Sequence, residues 1–226
     1  MKLLGVDGTL YKFISRVWDL IKLNFAWLLC SIPLITFGGA TVAAFDVASR
    51  MAADEEGDIL KDFIKSFRSN FKSSIVHGLL FLFGTYCLYI DWQITVNVQE
   101  HEGVLLALTI IASVAYFVYF AFSFVIRARY VTPLIMAFKN SKRICIKFFG
   151  RTILMLIVIA LVCLVFQWNT LMIFIGFLLA PALIIYVISA FAIIFFREID
   201  EENKSGDADR ELAAGKRSTD CEKKES

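Results

Sequence analysis

Apolar residues gather into five runs along the chain, 23–45, 75–97, 104–126, 152–167 and 171–196, separated by short polar or basic stretches. A helix needs around 20 apolar residues to cross a hydrocarbon layer. The last four runs therefore read as transmembrane helices. The run 152–167 is short, but Arg151 can snorkel at its start and Trp168 suits the interface at its end. The first run is interrupted by Pro33 and by Gly38-Gly39. Each arm, about 13 residues, reaches only roughly 20 Å against a core of ~30 Å. The second arm carries Ala40, Ala44, Ala48 and Ala52, a small-residue face that lets another helix approach closely. Residues 23–53 are thus predicted to form a re-entrant helical hairpin with its crook at Pro33 to Gly39. Non-helical backbone is allowed at that depth where protein or water covers it. The alternative is a fifth crossing.

The flanking stretches carry a helical period. In 9–22, Leu10, Ile14, Val17, Trp18 and Ile21 share one face and Lys12, Arg16, Asp19 and Lys22 lie largely away from it, the pattern of an interfacial helix. Asp58 is placed to cap a helix over 59–73, in which Phe63, Phe67 and Phe71 form a stripe among Lys61, Lys65, Arg68 and Lys72. This predicts a second interfacial helix on an anionic cytoplasmic leaflet. Residues 127–151 repeat the theme: Pro133 opens a stretch with Phe138, Phe148 and Phe149 among Lys139, Lys142, Arg143, Lys147 and Arg151. Lys142, Arg143 and Lys147 join the four basic residues of 59–73 as candidate lipid-headgroup contacts. The arrangement of two basic segments, each leading into a helical hairpin, suggests an internal duplication. The predicted fold is all-α and polytopic, with one membrane-embedded domain over 1–199. The highly charged segment 200–226 reads as a disordered cytoplasmic tail.

Composition agrees: 58% of the 226 residues are hydrophobic and 19% charged, more apolar than a soluble core could bury. The net charge of +2 conceals an asymmetry, because the 23 Lys and Arg occupy only the N-terminus, 46–74, 127–151 and the tail. The connections 98–103 and 168–170 have none. Basic residues near helix ends stay inside, which places both termini in the cytoplasm and the two connections outside. Trp92 and Trp168 beside those connections fit the outer interface. The N-terminal basic stretch is too long, and contains Asp7 and Asp19, for a cleavable leader.

Chemistry-bearing residues are sparse. Asp46 and Asp91 are the candidate intramembrane polar positions. Asp91 falls about 25 Å along its helix, beside Trp92, where an interfacial carboxylate is expected, and Asp46 has Arg50 four residues on for a helical ion pair. Pro181 follows Gly176 and frees the carbonyl of Phe177, a kink found beside transporter cavities and in ordinary bundles. His77 and His101 stand alone, and the five cysteines show no metal or redox spacing and read as buried apolar residues. No metal, cofactor or catalytic residue is predicted, and no phosphate loop or nucleophile elbow is present. An enzyme is not expected. Membrane attachment accounts for the basic Phe-rich segments, so no nucleic-acid partner is expected.

The ordered set Trp18-Asp19-Leu20, Leu23-Asn24, Trp27-Leu28-Leu29, Ser31-Ile32-Pro33-Leu34-Ile35-Thr36, Gly38, Ala40-Thr41 and Ala44, followed by Phe63, Phe67, Asn70, Phe71 and Lys72, resembles the YesL-like family of bacterial integral membrane proteins. The resemblance is specific over about residues 5–75, and 76–200 match mainly in architecture. It implies a bacterial plasma-membrane protein of unknown molecular function with an accessory role near carbohydrate uptake systems, partnered by a transporter subunit or a second copy. It supplies no catalytic or binding residues. A small permease or channel is the competing expectation.

Overall fold

The computed structural model describes the backbone of residues 9–55, 57–97, 102–130 and 134–222. The elements are α1 (Thr9–Ser31), a 3-10 turn (Leu34–Thr36), α2 (Phe37–Ala52), α3 (Ile59–Asn97), α4 (Glu102–Arg129), α5 (Leu134–Lys147), α6 (Phe149–Gln167) and α7 (Thr170–Glu222), with no strand among the described residues. Four helical stretches are long and apolar enough to cross a membrane: α3, residues 103–129 of α4, α6, and residues 170–198 of α7. The protein is an all-α polytopic membrane protein.

The hairpin is present, with a longer first arm than expected. Residues 9–22 and the first arm form one unbroken helix, α1, about 34 Å long at 1.5 Å per residue. Its buried side carries Leu20, Leu23, Asn24 and Ala26, while Tyr11, Ile14, Trp18, Phe25 and Leu29 remain exposed as a stripe at helical spacing. The chain reverses at Ser31 to Thr36, where the Thr36 hydroxyl lies within hydrogen-bonding reach of the Cys30 and Pro33 carbonyls and the Thr36 N–H donates to Pro33 at 2.9 Å. α2 then returns antiparallel to α1. At the open end, the Arg16 guanidinium binds the Met51 carbonyl and the Asp54 carboxylate. There α2 ends in a Schellman turn: Asp54 has φ of 58°, and Glu55 N–H donates to the Arg50 carbonyl at 3.0 Å.

α2 is the centre of the molecule, and its small residues explain why. From Gly38 to Ala48 every residue except Asp46 is buried, in contact with α1, α3, α4 and α7. Ala40, Ala44 and Ala48 are fully enclosed, as the small-residue spacing predicts. The closest approach is to α3, where a Cβ added to Gly38 would come 2.8 Å from the Gly78 Cα and one added to Gly78 would come 2.5 Å from the Gly38 Cα.

Two expectations are corrected. Residues 59–73 are not a separate interfacial helix, because α3 runs unbroken through Ile59–Asn97. Phe63 is only 1% exposed, and Phe67 and Phe71 are half-buried against Gly39 of α2. A neighbouring helix takes the Phe stripe that lipid was expected to take, and the glycine makes room for the rings. The region 200–222 is helical in backbone, where a disordered tail was expected; residues 223–226 lie outside the described residues. Glu, Lys, Ala and Arg are good helix formers, and a segment growing from an existing helix has no nucleation cost. Pro133, the expected start of α5, also lies outside the described residues.

Candidate functional site

Two cavities share α2 as a wall. Near the crook, Trp27 of α1, Phe37 and Thr41 of α2, Phe81 of α3, Phe117 of α4, Met155 and Ile159 of α6, and Pro181 and Ile185 of α7 enclose about 360 Å³ of almost wholly apolar space. The Thr41 hydroxyl oxygen accepts the Trp27 indole N–H at 3.2 Å. The Pro181 interruption is answered from α1. Asn24, fully buried, donates its amide to the carbonyls of Phe177 at 3.3 Å and Leu178 at 2.7 Å. Asn24 therefore replaces the backbone donor that Pro181 lacks.

At the open end of the hairpin lies a polar cavity of about 420 Å³, bounded by Asp46, Ser49, Arg50 and Glu55 from α2 and its C-terminal turn, Ser69 and Asn70 from α3, and Arg127 and Arg129 from α4. The expected pair exists: Arg50 Nη2 lies 3.2 Å from the Asp46 carboxylate, and Arg50 also approaches Asp62 at 4.0 Å. Arg127 is 8% exposed and donates to the Ser73 carbonyl at 2.7 Å. The Arg129 guanidinium lies 5.2 Å from the centre of the Phe196 ring.

An aromatic layer separates the cavities. Phe45 stacks on Phe124 with centroids 6.4 Å apart, and His77 stacks on Phe124 at 4.2 Å and meets Phe138 edge-on at 5.1 Å. His77 is fully buried, its Nε2 lies 3.0 Å from the Ser123 hydroxyl, and its Nδ1 has no partner among the described residues. Phe45 and Phe124 line the apolar cavity, while their neighbours Asp46 and Arg127 line the polar one. The polar residues change to apolar within one helical turn.

The other sequence-predicted positions lie apart from both cavities. Asp91 is exposed near the far end of α3 and contributes to neither cavity. Lys61 pairs with Asp58 at 3.1 Å, and with Lys65 and Arg68 it borders a shallow surface groove. That contact and the free N–H groups of Leu60 and Lys61 hold the Asp58 carboxyl below its ordinary range. Lys72, Lys142 and Arg143 are exposed, and Lys147 sits 5.6 Å from the centre of the Phe148 ring. α5 turns Ala137, Ser141 and Ile144 inward, which leaves its basic side outward. Among the described cysteines all are free; Cys30, Cys145 and Cys163 are half-buried and Cys87 is exposed, where buried positions were expected.

Sequence reasoning missed Arg127, Arg129 and the partner of Pro181. The first two stand at the end of an apolar run, where a snorkelling role is the default reading. Only the packing of α2 against α3 and α4 turns them toward a cavity. Among the described residues no group of His, Cys, Asp and Glu could hold a metal ion.

No curated protein and no solved structure matches the chain. A family model matches the second half of α1, the crook, α2 and most of α3, the same elements that build the hairpin and the α2–α3 contact. The family described as Protein of unknown function, DUF624, is similar to residues 20–92, about a third of the chain, consistent with the YesL-like resemblance of these residues.

Proposed function

We propose that this protein is a non-enzymatic accessory or regulatory subunit of a bacterial plasma-membrane system, by family resemblance one for carbohydrate uptake. The observation that supports it is the aromatic layer of Phe45, His77, Phe124 and Phe138 between the two cavities. A sugar route would need hydroxyl-binding groups along its length, and the interior on the crook side is lined almost entirely by apolar side chains. A subunit that works through contact needs apolar membrane faces instead. The outer halves of α3 and α4 present such faces through Phe83, Tyr86, Ile94, Val104, Leu108 and Ile111. Both termini are assigned to the cytoplasm, because the residues at the open end of the hairpin are basic and the 168–170 connection has no Lys or Arg.

Purification of the intact protein from mild detergent tests the reading. Transporter subunits are expected to co-purify in stoichiometric amount, and proteoliposomes containing this protein alone are expected to take up no sugar. Saturable sugar uptake by those proteoliposomes would overturn the proposal in favour of a permease. Topology is checked separately by impermeant thiol labelling of single cysteines in a background lacking the native ones. Thr9→Cys and Gly57→Cys should be protected in intact cells and Gly103→Cys and Asn169→Cys labelled.

A further inference from the structure

We infer that the polar cavity at the open end of the hairpin binds a phosphate-bearing anion, held by Arg127 and Arg129 with Ser49 and Asn70 beside them. Three arginines border the cavity against two carboxylates, and the charges are not equally free. Arg50 and Asp46 neutralise each other at 3.2 Å. Arg127 makes no ion pair among the described residues although it is nine-tenths buried, and its one hydrogen bond there, to the Ser73 carbonyl, uses one of five N–H donors. A buried guanidinium without an anion is a costly arrangement unless something else completes it. Arg129, carried two residues along the same helix, adds a second positive charge whose contacts among the described residues are the faces of Phe196 and Tyr130.

Phosphate suits this set better than a carboxylate. Two guanidinium forks together with the Ser49 hydroxyl offer more donors than two carboxylate oxygens can accept, whereas phosphate presents three or more oxygens and fits the planar fork in two-pronged fashion. The site also stands where the long apolar run of α4 ends, the depth at which lipid phosphates lie. The ligand is thus either the phosphate of an anionic lipid or a soluble phosphate that enters from the aqueous side. This inference does not depend on the accessory role proposed above.

The test uses the full chain, purified in a non-ionic, phosphate-free detergent. In one arm phosphatidylglycerol is titrated and followed by thermal shift and native mass spectrometry. In the other, inorganic phosphate and glycerol 3-phosphate are titrated. A saturable shift in the first arm with one retained lipid assigns the site to a headgroup, and saturation in the second assigns it to a soluble phosphate. In either case Arg129→Gln, whose side chain is exposed and makes no hydrogen bond among the described residues, should weaken binding at least tenfold while lowering the starting melting temperature by no more than a few degrees, the loss of its ring contacts. Arg127→Lys keeps the charge, loses the fork and should weaken it likewise. Lys65→Gln with Arg68→Gln, which border the adjoining surface groove and not the cavity itself, should leave it intact. The inference is overturned if neither arm saturates, if both arginine variants bind as the parent does, or if the Lys65/Arg68 pair alone abolishes binding.

Discussion

Replacing Gly38 by alanine tests the contact on which the hairpin's position depends. The new methyl would meet the Ser74 carbonyl and come 2.8 Å from both the Cα and the N of Gly78. Ordinary contact needs about 3.5 Å or more. The obstructing atoms are backbone atoms of α3, so no side-chain rotation relieves the clash, and α2 cannot retreat because α4 and α7 pack on its other sides. Overpacking of this kind costs about 1–3 kcal/mol, and this site should fall in the upper half of that range. Alanine's better helix propensity returns up to ~1 kcal/mol, which leaves a net loss of about 1–2 kcal/mol. For a chain of this size that corresponds to a fall in Tm of roughly 2–8 °C, measurable by thermal unfolding in detergent. Gly150→Ala is the control, because nothing lies within 4 Å of the position its methyl would take. A Gly38→Ala protein as stable as the parent would refute the close α2–α3 crossing.

Asn24→Leu should cost about 1–3 kcal/mol by leaving the Phe177 carbonyl without a donor in apolar surroundings; the loss should shrink when Pro181→Ala restores the backbone N–H, and equal losses in both backgrounds, measured by a double-mutant cycle, would contradict the capping role. Ser123→Ala should destabilise by about 1–3 kcal/mol, since it removes the described partner of the buried His77 ring, and chemical unfolding in mixed micelles reads the loss. Burial pushes the Cys145 thiol up to about 11 from an ordinary 9.0. At pH 8 it should therefore react roughly 100-fold more slowly with iodoacetamide than an exposed thiol. The folded state holds that proton more tightly, so the thiol's contribution to stability is complete below pH 9 and declines as pH rises toward 11.

Much of this architecture is visible in the sequence because bilayer dimensions constrain it. Four runs of sufficient length and two Lys/Arg-free connections fix the number of clear spans. The interruption at Pro33 and Gly38, with alanines every fourth residue, points to the hairpin and to a helix buried through its small face. Helix boundaries were less legible. A basic amphipathic segment looks alike whether its Phe stripe meets lipid or another helix, and only Gly39 of α2, far along the chain, decides for Phe67 and Phe71. The Asp46–Arg50 pair was legible because its partners are four residues apart. The polar cavity was not, because Arg127, Arg129, Asn70 and Ser49 come from three helices and no local spacing links them. Asn24 and Pro181 illustrate the same limit: each is conspicuous alone, and 157 positions of sequence separate a freed carbonyl's cause from its remedy.

The hairpin also resolves the conflict in the charge pattern. If residues 23–45 crossed once, Lys12, Arg16 and Lys22 would lie on the opposite side from Arg50 and Lys61. The fold brings them together instead: Arg16 binds Asp54, Arg127 binds the Ser73 carbonyl, and Arg151 binds Glu198 near the Arg129–Phe196 contact. These links tie the open end of the hairpin, the end of α4, the start of α6 and the lower part of α7 into one end of the bundle. The two ion pairs among these links, Arg16–Asp54 and Arg151–Glu198, are exposed and contribute little stability individually, so they do not hold the reversal in place. That falls to the buried α2 face and to the Thr36 turn. The arginines act instead through exclusion: each would cost several kcal/mol at the middle of a bilayer, so the end that carries them stays in water or among headgroups. A single crossing over 23–45 without a reversal would have to break the Arg16–Asp54 link and separate α1 from α2. The reversal at Pro33 is therefore the arrangement that keeps the basic residues together and the small face of α2 buried.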